Sequence, residues 1–349
     1  MGLAAVAAIS GLVLAGCGEA PAENDGAKEE KKFKACMVTD IGGVDDRSFN
    51  ASAWAGMQAA MKQDSSIEVD YVTSEAESDY EPNLKQQVQG DCDLVVAVGG
   101  LMRDATEKVA KQTPDKQFAI VDASIDLPNV YSMQFNTAQS SFQAGYLAAG
   151  MSKSEKVATY GGLKIPPVTI FMDGFYEGVQ HYNKTKGKKV QVLGWNAKTQ
   201  NGSFSESFTD QNKGKAITED FVSQGADIVF PVAGGTGLGT AATAQTSTGK
   251  LTTIWVDFDG CESAADYCDV FMTSVVKNIP DAVKESVLRA KGGEKGGAFL
   301  GALDNKGTFL APYHEFDSKV SAELKSEIEQ LGKDIVSGKI KLQSVAQPQ

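Results

Sequence analysis

Residues 39 to 50, Thr39-Asp40-Ile41-Gly42-Gly43-Val44-Asp45-Asp46-Arg47-Ser48-Phe49-Asn50, place carboxylates, an amide, glycines and an aromatic ring between an apolar run and a helical pattern. A phosphate would need bare backbone N–H groups and a cation at such a junction, whereas Asp40, Asp45 and Asp46 repel an anion. The stretch therefore suits a neutral or cationic solute rich in O–H and N–H donors, although some of these aspartates also fit N-caps or Asx turns. Two further carboxylates close apolar runs: Asp122 follows Phe118 to Val121, and Asp257 follows Ile254 to Val256. At a strand end Asp122 can accept two N–H donors from the edge of a base, and Asp257 suits the vicinal hydroxyls of a sugar. Lys277, after Thr273 to Val276, is the cation placed to hold such a carboxylate or a ring oxygen. Each of the three also fits a solvated charge at a strand end.

Other motifs fail on inspection. In Gly234-Gly235-Thr236-Gly237-Leu238-Gly239 a G-x-G-x-x-G count from Gly235 meets Thr240, and a count from Gly237 meets Ala242, where the third glycine belongs. Those glycines fit a close backbone approach to a ligand instead. Gly249-Lys250 is followed by Leu251 and is no Walker A, and no G-x-S-x-G elbow exists. The two histidines, His181 and His314, lack neighbours at metal-site or triad spacing, so neither a metal nor a cofactor is expected. An enzymatic reading would have to use Asp46, Asp122 or Asp257 as acid and base in glycoside or nucleoside hydrolysis.

The elements that must position these residues follow from patterning. The 349 residues allow about two domains. Their 42% hydrophobic and 22% charged content is that of a folded body. Lys plus Arg less Asp plus Glu is 33 − 45 = −12, with no concentrated basic patch, which argues against nucleic acid as a partner. Apolar β-rich runs alternate with helical patterns, the signature of parallel sheets with crossover helices. In the first half strands are predicted near Phe33–Thr39, Ile67–Val72, Leu94–Val98 and Phe118–Val121, with helices near Phe49–Lys62, Pro82–Gln89 and Arg103–Lys111. After Asn136 a second run has strands near Val157–Tyr160, Val190–Leu193, Ile228–Val232 and Thr253–Val256, with helices near Gln139–Met151, Val168–Tyr182, Asp210–Gln224 and Leu238–Thr246. A strand and helix over Val270–Ala290 and a last helix over Ser321–Ser337 complete the chain. An internal echo, F-x4-[WY]-x-G, relates Phe49, Trp54 and Gly56 to Phe171, Tyr176 and Gly178; two amphipathic helices with aromatic core residues would also produce it. Two α/β lobes hinged around a cleft are expected, and in open parallel sheets ligands sit beyond the carboxyl ends of the strands.

The amino-terminal apolar stretch, Leu3 to Ala15, is too short to span a bilayer and reads as a signal-peptide core over 1–16. It ends in Leu14-Ala15-Gly16-Cys17, which resembles a lipobox, with Cys17 the residue that would be lipidated. Residues 17–32 then form a tether without large apolar side chains. The four remaining cysteines favour two disulfides outside the cytoplasm, Cys36 with Cys92 and Cys261 with Cys268; buried free thiols are the alternative.

The block from Thr39-Asp40 to Phe49-Asn50, with Trp54 and Gly56, closely resembles the opening of the basic membrane protein family of substrate-binding lipoproteins, also called the purine nucleoside receptor A family. The likeness continues in Leu101-Met102-Arg103-Asp104-Ala105-Thr106, Phe118 to Asp122, Gly161 to Phe175, Trp255-Val256-Asp257 and Thr273 to Lys277, covering Phe33 to about Leu342. The resemblance implies a type I periplasmic-binding-protein fold, with two Rossmann-like lobes. It implies a receptor that delivers purine nucleosides to an ABC transporter permease and does no chemistry. The expected lobes are 33–133 with 262–297 and 134–261 with 298–342, followed by a tail over 343–349. In such a receptor two aromatics sandwich the base, and the matching positions are Phe49, with Asn50 beside it, and Phe208. Phe171 and Phe175, favoured by the internal echo, remain alternatives as the second aromatic. Asp122 matches the base-edge carboxylate, Asp257 the ribose carboxylate, Lys277 the lysine and Gly234 the glycine loop. Gly100 stands where relatives tend to carry a bulkier residue, and residues 194–207 do not align cleanly. The resemblance thus implies a monomer, lipid-anchored on the outer face of a bacterial cell membrane. The same fold binding a sugar or other polar solute is the main alternative, and a surface protein binding host or matrix molecules is another.

Overall fold

A computed structural model of the chain describes residues 32–348. The signal segment, Cys17 and most of the tether lie outside the described residues, as does Gln349. The elements run β1 (Phe33–Ile41), α1 (Phe49–Gln63), β2 (Ile67–Ser74), α2 (Tyr80–Gln89), β3 (Leu94–Val98), α3 (Arg103–Gln112), β4 (Gln117–Val121) and β5 (Val130–Phe135). There follow α4 (Ala138–Met151), β6 (Lys156–Gly161), α5 (Pro166–Lys186), β7 (Gln191–Leu193), β8 (Trp195–Asn196), β9 (Asn201–Gly202), α6 (Gln211–Ser223), β10 (Ile228–Val232), α7 (Leu238–Thr246) and β11 (Thr252–Asp257). The chain ends with α8 (Gly260–Ser263), β12 (Phe271–Lys277), α9 (Ile279–Lys291), β13 (Gly297–Gly301), β14 (Thr308–Leu310) and α10 (Ala322–Val336).

Two six-stranded sheets result, in the orders β13-β5-β4-β3-β1-β2 and β14-β12-β11-β10-β6-β7. The first is parallel throughout, and in the second only β14 is antiparallel. Both faces of each sheet carry helices, so central strands such as Leu94–Val98 are buried at every residue. That is why they read as continuous apolar runs instead of alternating ones. Position for position the sheets correspond, which makes β4 the counterpart of β11 and α1 the counterpart of α5.

The echo in the sequence has a physical basis in that correspondence. Helix α9 packs on α1 in the first lobe, and α4 packs on α5 in the second. A β-carbon on Gly56 would lie 2.5 Å from the Pro280 carbonyl oxygen, and one on Gly178 would lie 2.0 Å from that of Phe142. Each glycine lets the helix that follows a lobe crossing approach backbone to backbone.

Among the described residues the chain passes between lobes three times: from β5 to α4, from β12 to α9, and from β13 to β14. The expected lobe boundaries need correction here. Strand β12 lies within 262–297, which was expected in the first lobe, but it pairs with β11 in the second sheet. The crossing falls at Asn278, after the strand. Residues 298–301 belong to β13 and pair with β5 in the first sheet. Strand β5 itself was not among the predicted strands. Helix α10 shares the core of α4 and α5, through Leu324, Ile328 and Leu331. The carboxyl-terminal segment packs on the second lobe too: the buried Ser344 hydroxyl donates to Asp173 Oδ2 at 2.6 Å, and the Gln343 N–H donates to Glu177. Disulfides join Cys36 to Cys92 and Cys261 to Cys268, the pairings expected from the sequence.

Candidate functional site

Beyond the carboxyl ends of the strands the lobes enclose a cavity of about 60 Å³, lined among others by Asp40, Phe49, Asn50, Asp122, Phe208 and Asp257. Asp46, Gly234 and Lys277 also line it, so every ligand-contacting residue expected from the sequence comes to one place. Among the described residues no helix is long and apolar enough to cross a membrane.

Asp122 and Asp257 occupy equivalent strand ends, and both have φ of 66°, a left-handed conformation that aspartate tolerates better than most residues. From opposite lobes they converge on Lys277, whose Nζ is 2.6 Å from Asp122 Oδ2 and 3.6 Å from Asp257 Oδ1. The lysine side chain is 3% exposed. Burial alone would lower its pKa, but the two carboxylates outweigh that and hold it above its ordinary value, so it stays charged. Burial pushes Asp122 upward, with the Lys277 ammonium pulling against it. The ammonium also lies 5.0 Å from the Phe49 ring centroid and 5.1 Å from that of Phe171, the pair linked by the sequence echo.

A second polar cluster lies at the start of α1. Asp46 accepts the backbone N–H groups of Ser48, Asn50 and Ala51 and the Asn50 Nδ2 amide at 3.0, 2.7, 3.0 and 3.1 Å. Its lone pairs are thereby committed to the turn, and its direct effect is to cap the helix and orient Asn50. Asn50 Nδ2 also donates to Asp40 Oδ1 at 2.7 Å, which leaves the buried Asn50 Oδ1 as an acceptor without a protein partner. Asp40 is pushed up to about 8 by burial, against the Asn50 hydrogen bond and with help from neighbouring carboxylates. At neutral pH it is a protonated acid that can donate as well as accept.

Phe208 rests on Gly162, where a β-carbon would lie 2.3 Å from a ring carbon, and its carbonyl accepts the Thr236 N–H at 3.1 Å. Gly234 beside it has φ of 52°. Phe175 is fully buried in the second-lobe core, and it is absent from the cavity lining. Gly100 lines the cavity as well, and a β-carbon there would be crowded, at 3.0 Å from the Asp122 carbonyl oxygen and 3.3 Å from Pro167. Asp40, which the sequence did not single out for the site, and Phe171, expected only as an alternative second aromatic, also line the wall. The echo marked Phe171, and the position of Asp40 at the end of β1 parallels that of Asp122 and Asp257. Asp259, Cys261 and His314 cluster elsewhere with metal-ligand atoms within 4.8 Å of one another, but the Cys261 sulfur is bonded to Cys268.

Comparison with known proteins adds to this geometry. The profile of the Bmp family, described as ABC transporter substrate-binding protein PnrA-like, matches residues 33–345. A "CD4+ T-cell-stimulating antigen" of Listeria monocytogenes is 35% identical, covering 95% of each chain. The "ABC transporter nucleoside-binding protein BmpA" of Lactococcus lactis is 31% identical over 98% of each. "Basic membrane protein B" of Borreliella burgdorferi is 30% identical over 79% of this chain and 77% of its own. Among solved structures, a solute-binding protein of an ABC transporter system from Aeropyrum pernix superposes with a TM-score of 0.80 at 23% identity, covering 91% of this chain and 94% of that one. Such a likeness confirms the two-lobed solute-binding fold.

Proposed function

This chain belongs to the PnrA-like (Bmp) family of ABC transporter substrate-binding proteins, and from that premise we propose that its solute is a purine nucleoside, held between the lobes and handed to a membrane permease. Members of this family bind a small solute and work with a permease outside the cytoplasm; they are not enzymes.

The observation that carries the nucleoside reading is the polarity of the cavity wall. Its polar side chains are Asp40, Asp46, Asn50, Asp122 and Asp257, plus Lys277, and the lysine is already matched to two carboxylates. What remains are chiefly acceptors, the orphan Asn50 Oδ1 first among them, with protonated Asp40 able to donate as well, in a cavity that the phenyl rings of Phe49 and Phe208 also line. That combination suits a planar, neutral solute with amino and hydroxyl donors. The rings stack on the base, each contributing about 1–3 kcal/mol. Asp122 meets the base edge and Asp257 the ribose, with Lys277 fixing both carboxylates. The one cation of the wall among the described residues, Lys277, is already paired with two carboxylates, which disfavours a phosphate and therefore a nucleotide. The nucleoside-binding name of the Lactococcus relative agrees with this reading.

Lipidation at Cys17 would anchor a monomer to the membrane through the tether. Labelled fatty acid incorporated by the wild type and lost in Cys17→Ser tests the anchor. For the solute, protein purified from its host under native conditions is unfolded and the released small molecules are identified by mass. A purine nucleoside at close to one per chain is expected. A sugar in that position would replace the nucleoside reading with the sugar alternative.

A further inference from the structure

A serine at the N-cap position of a helix ordinarily turns its hydroxyl to the backbone N–H groups of the first turn. Ser48 precedes α1 and makes no such bond. Asp46 has taken over the cap, accepting the N–H groups of Asn50 and Ala51. The Ser48 hydroxyl is thereby released, and it points across the cleft: its Oγ lies 3.0 Å from Asp257 Oδ2 and 3.2 Å from the Val256 carbonyl oxygen, both in the second lobe. Ser48 is fully buried there.

The adjacent residue also crosses the cleft. Arg47, in a left-handed conformation with φ of 55°, pairs with Asp266 of the second lobe at 3.5 Å. Asp266 stands in the short loop closed by the Cys261–Cys268 disulfide, which limits how far that partner can wander.

We propose that Arg47 and Ser48 form a clasp that holds the lobes shut, with Ser48 as the main positioning residue and Arg47 as the exposed guide. The clasp acts through Asp257. Ser48 occupies Oδ2 and Lys277 faces Oδ1, so closure fixes the plane of the carboxylate while leaving it further lone pairs for a solute hydroxyl. A buried hydrogen bond to a carboxylate is among the stronger contacts a hydroxyl makes, whereas an exposed ion pair contributes little. Loss of Ser48 Oγ should therefore shift the closed-to-open ratio about tenfold toward open, and loss of the Arg47 pair by about twofold. Because the solute is trapped by closure, the same change appears in its escape rate and leaves its arrival rate alone.

The test is small-angle X-ray scattering of the purified protein without added solute, for wild type, Ser48→Ala, Arg47→Asp and the exchange Arg47→Asp with Asp266→Arg. A larger radius of gyration is expected for Ser48→Ala with unchanged circular dichroism, a smaller increase for Arg47→Asp, and a return toward wild type in the exchange. A second arm measures guanosine release by stopped flow, with a rate about tenfold higher expected in Ser48→Ala at constant association rate. Scattering curves that coincide for wild type, Ser48→Ala and Arg47→Asp would overturn the clasp. If guanosine binds none of these proteins, the nucleoside reading fails and the scattering still decides the clasp.

Discussion

A carboxyl group buried beside three others costs least when it keeps its proton, and Asp40 is in that position. Its pKa, pushed to about 8 by burial, lies well above the value near 4 of an unfolded chain. Between those values the folded state holds a proton that the unfolded state has released, so the stability of the wild type falls as pH rises from about 4 to about 8. Asp40→Asn lacks that slope. The variant should match wild type near pH 4 and exceed it by on the order of a few kcal/mol above pH 8, as urea titrations at both pH values will show. Phe49→Ala and Phe208→Ala each remove one stacking face and should weaken nucleoside binding by about 5- to 150-fold while the fold persists, whereas Phe175→Ala should act on stability alone. Asp122 and Asp257 were legible because each ends an apolar run, whereas Asp40, at the end of β1, was read only among the loop carboxylates. The partition of roles was less legible, since it depends on how the turn folds: Asp46 commits its oxygens to the turn, and Ser48 does not cap its helix.

Helices and strands were read well where their pattern was continuous and poorly where it was short. Strands β1, β3, β4, β6, β10 and β11 fall where apolar runs predict them. Strand β5 carries a tyrosine, serine and glutamine within Val130–Phe135, and β14 has three residues, so neither stands out from its neighbours. The weak F-x4-[WY]-x-G echo proved informative because sterics impose it. Gly178→Val would drive a branched side chain into the Phe142 carbonyl and should cost at least about 1–3 kcal/mol in urea unfolding. The Cys36–Cys92 bond closes a long stretch, with a sequence separation of 56, which a chain-entropy account values at about 4 kcal/mol. Replacing both cysteines with alanine should therefore lower stability by roughly 2–4 kcal/mol, read from the shift in denaturant midpoint.

Over the whole molecule, three crossings among the described residues and a cavity lined from both lobes describe a body built to hinge around a solute. The sequence announced two lobes but misplaced their boundary, because a strand is recognised by its residues while its sheet is decided by long-range pairing. Lys277 shows why the crossing matters: it ends β12, precedes the second crossing and bridges Asp122 of one lobe to Asp257 of the other. An acidic chain of net charge −12, with carboxylates around its cleft, repels phosphates at long range as well as at contact. The central claim is a cavity matched to an uncharged purine nucleoside. It is tested most directly by titration calorimetry of solute-free protein with guanosine, adenosine and inosine, against cytidine, ribose and guanosine 5′-monophosphate. Saturable one-to-one heat from a purine nucleoside and none from the monophosphate is the expected result; no heat from any nucleoside, or equal binding of the monophosphate, would contradict it.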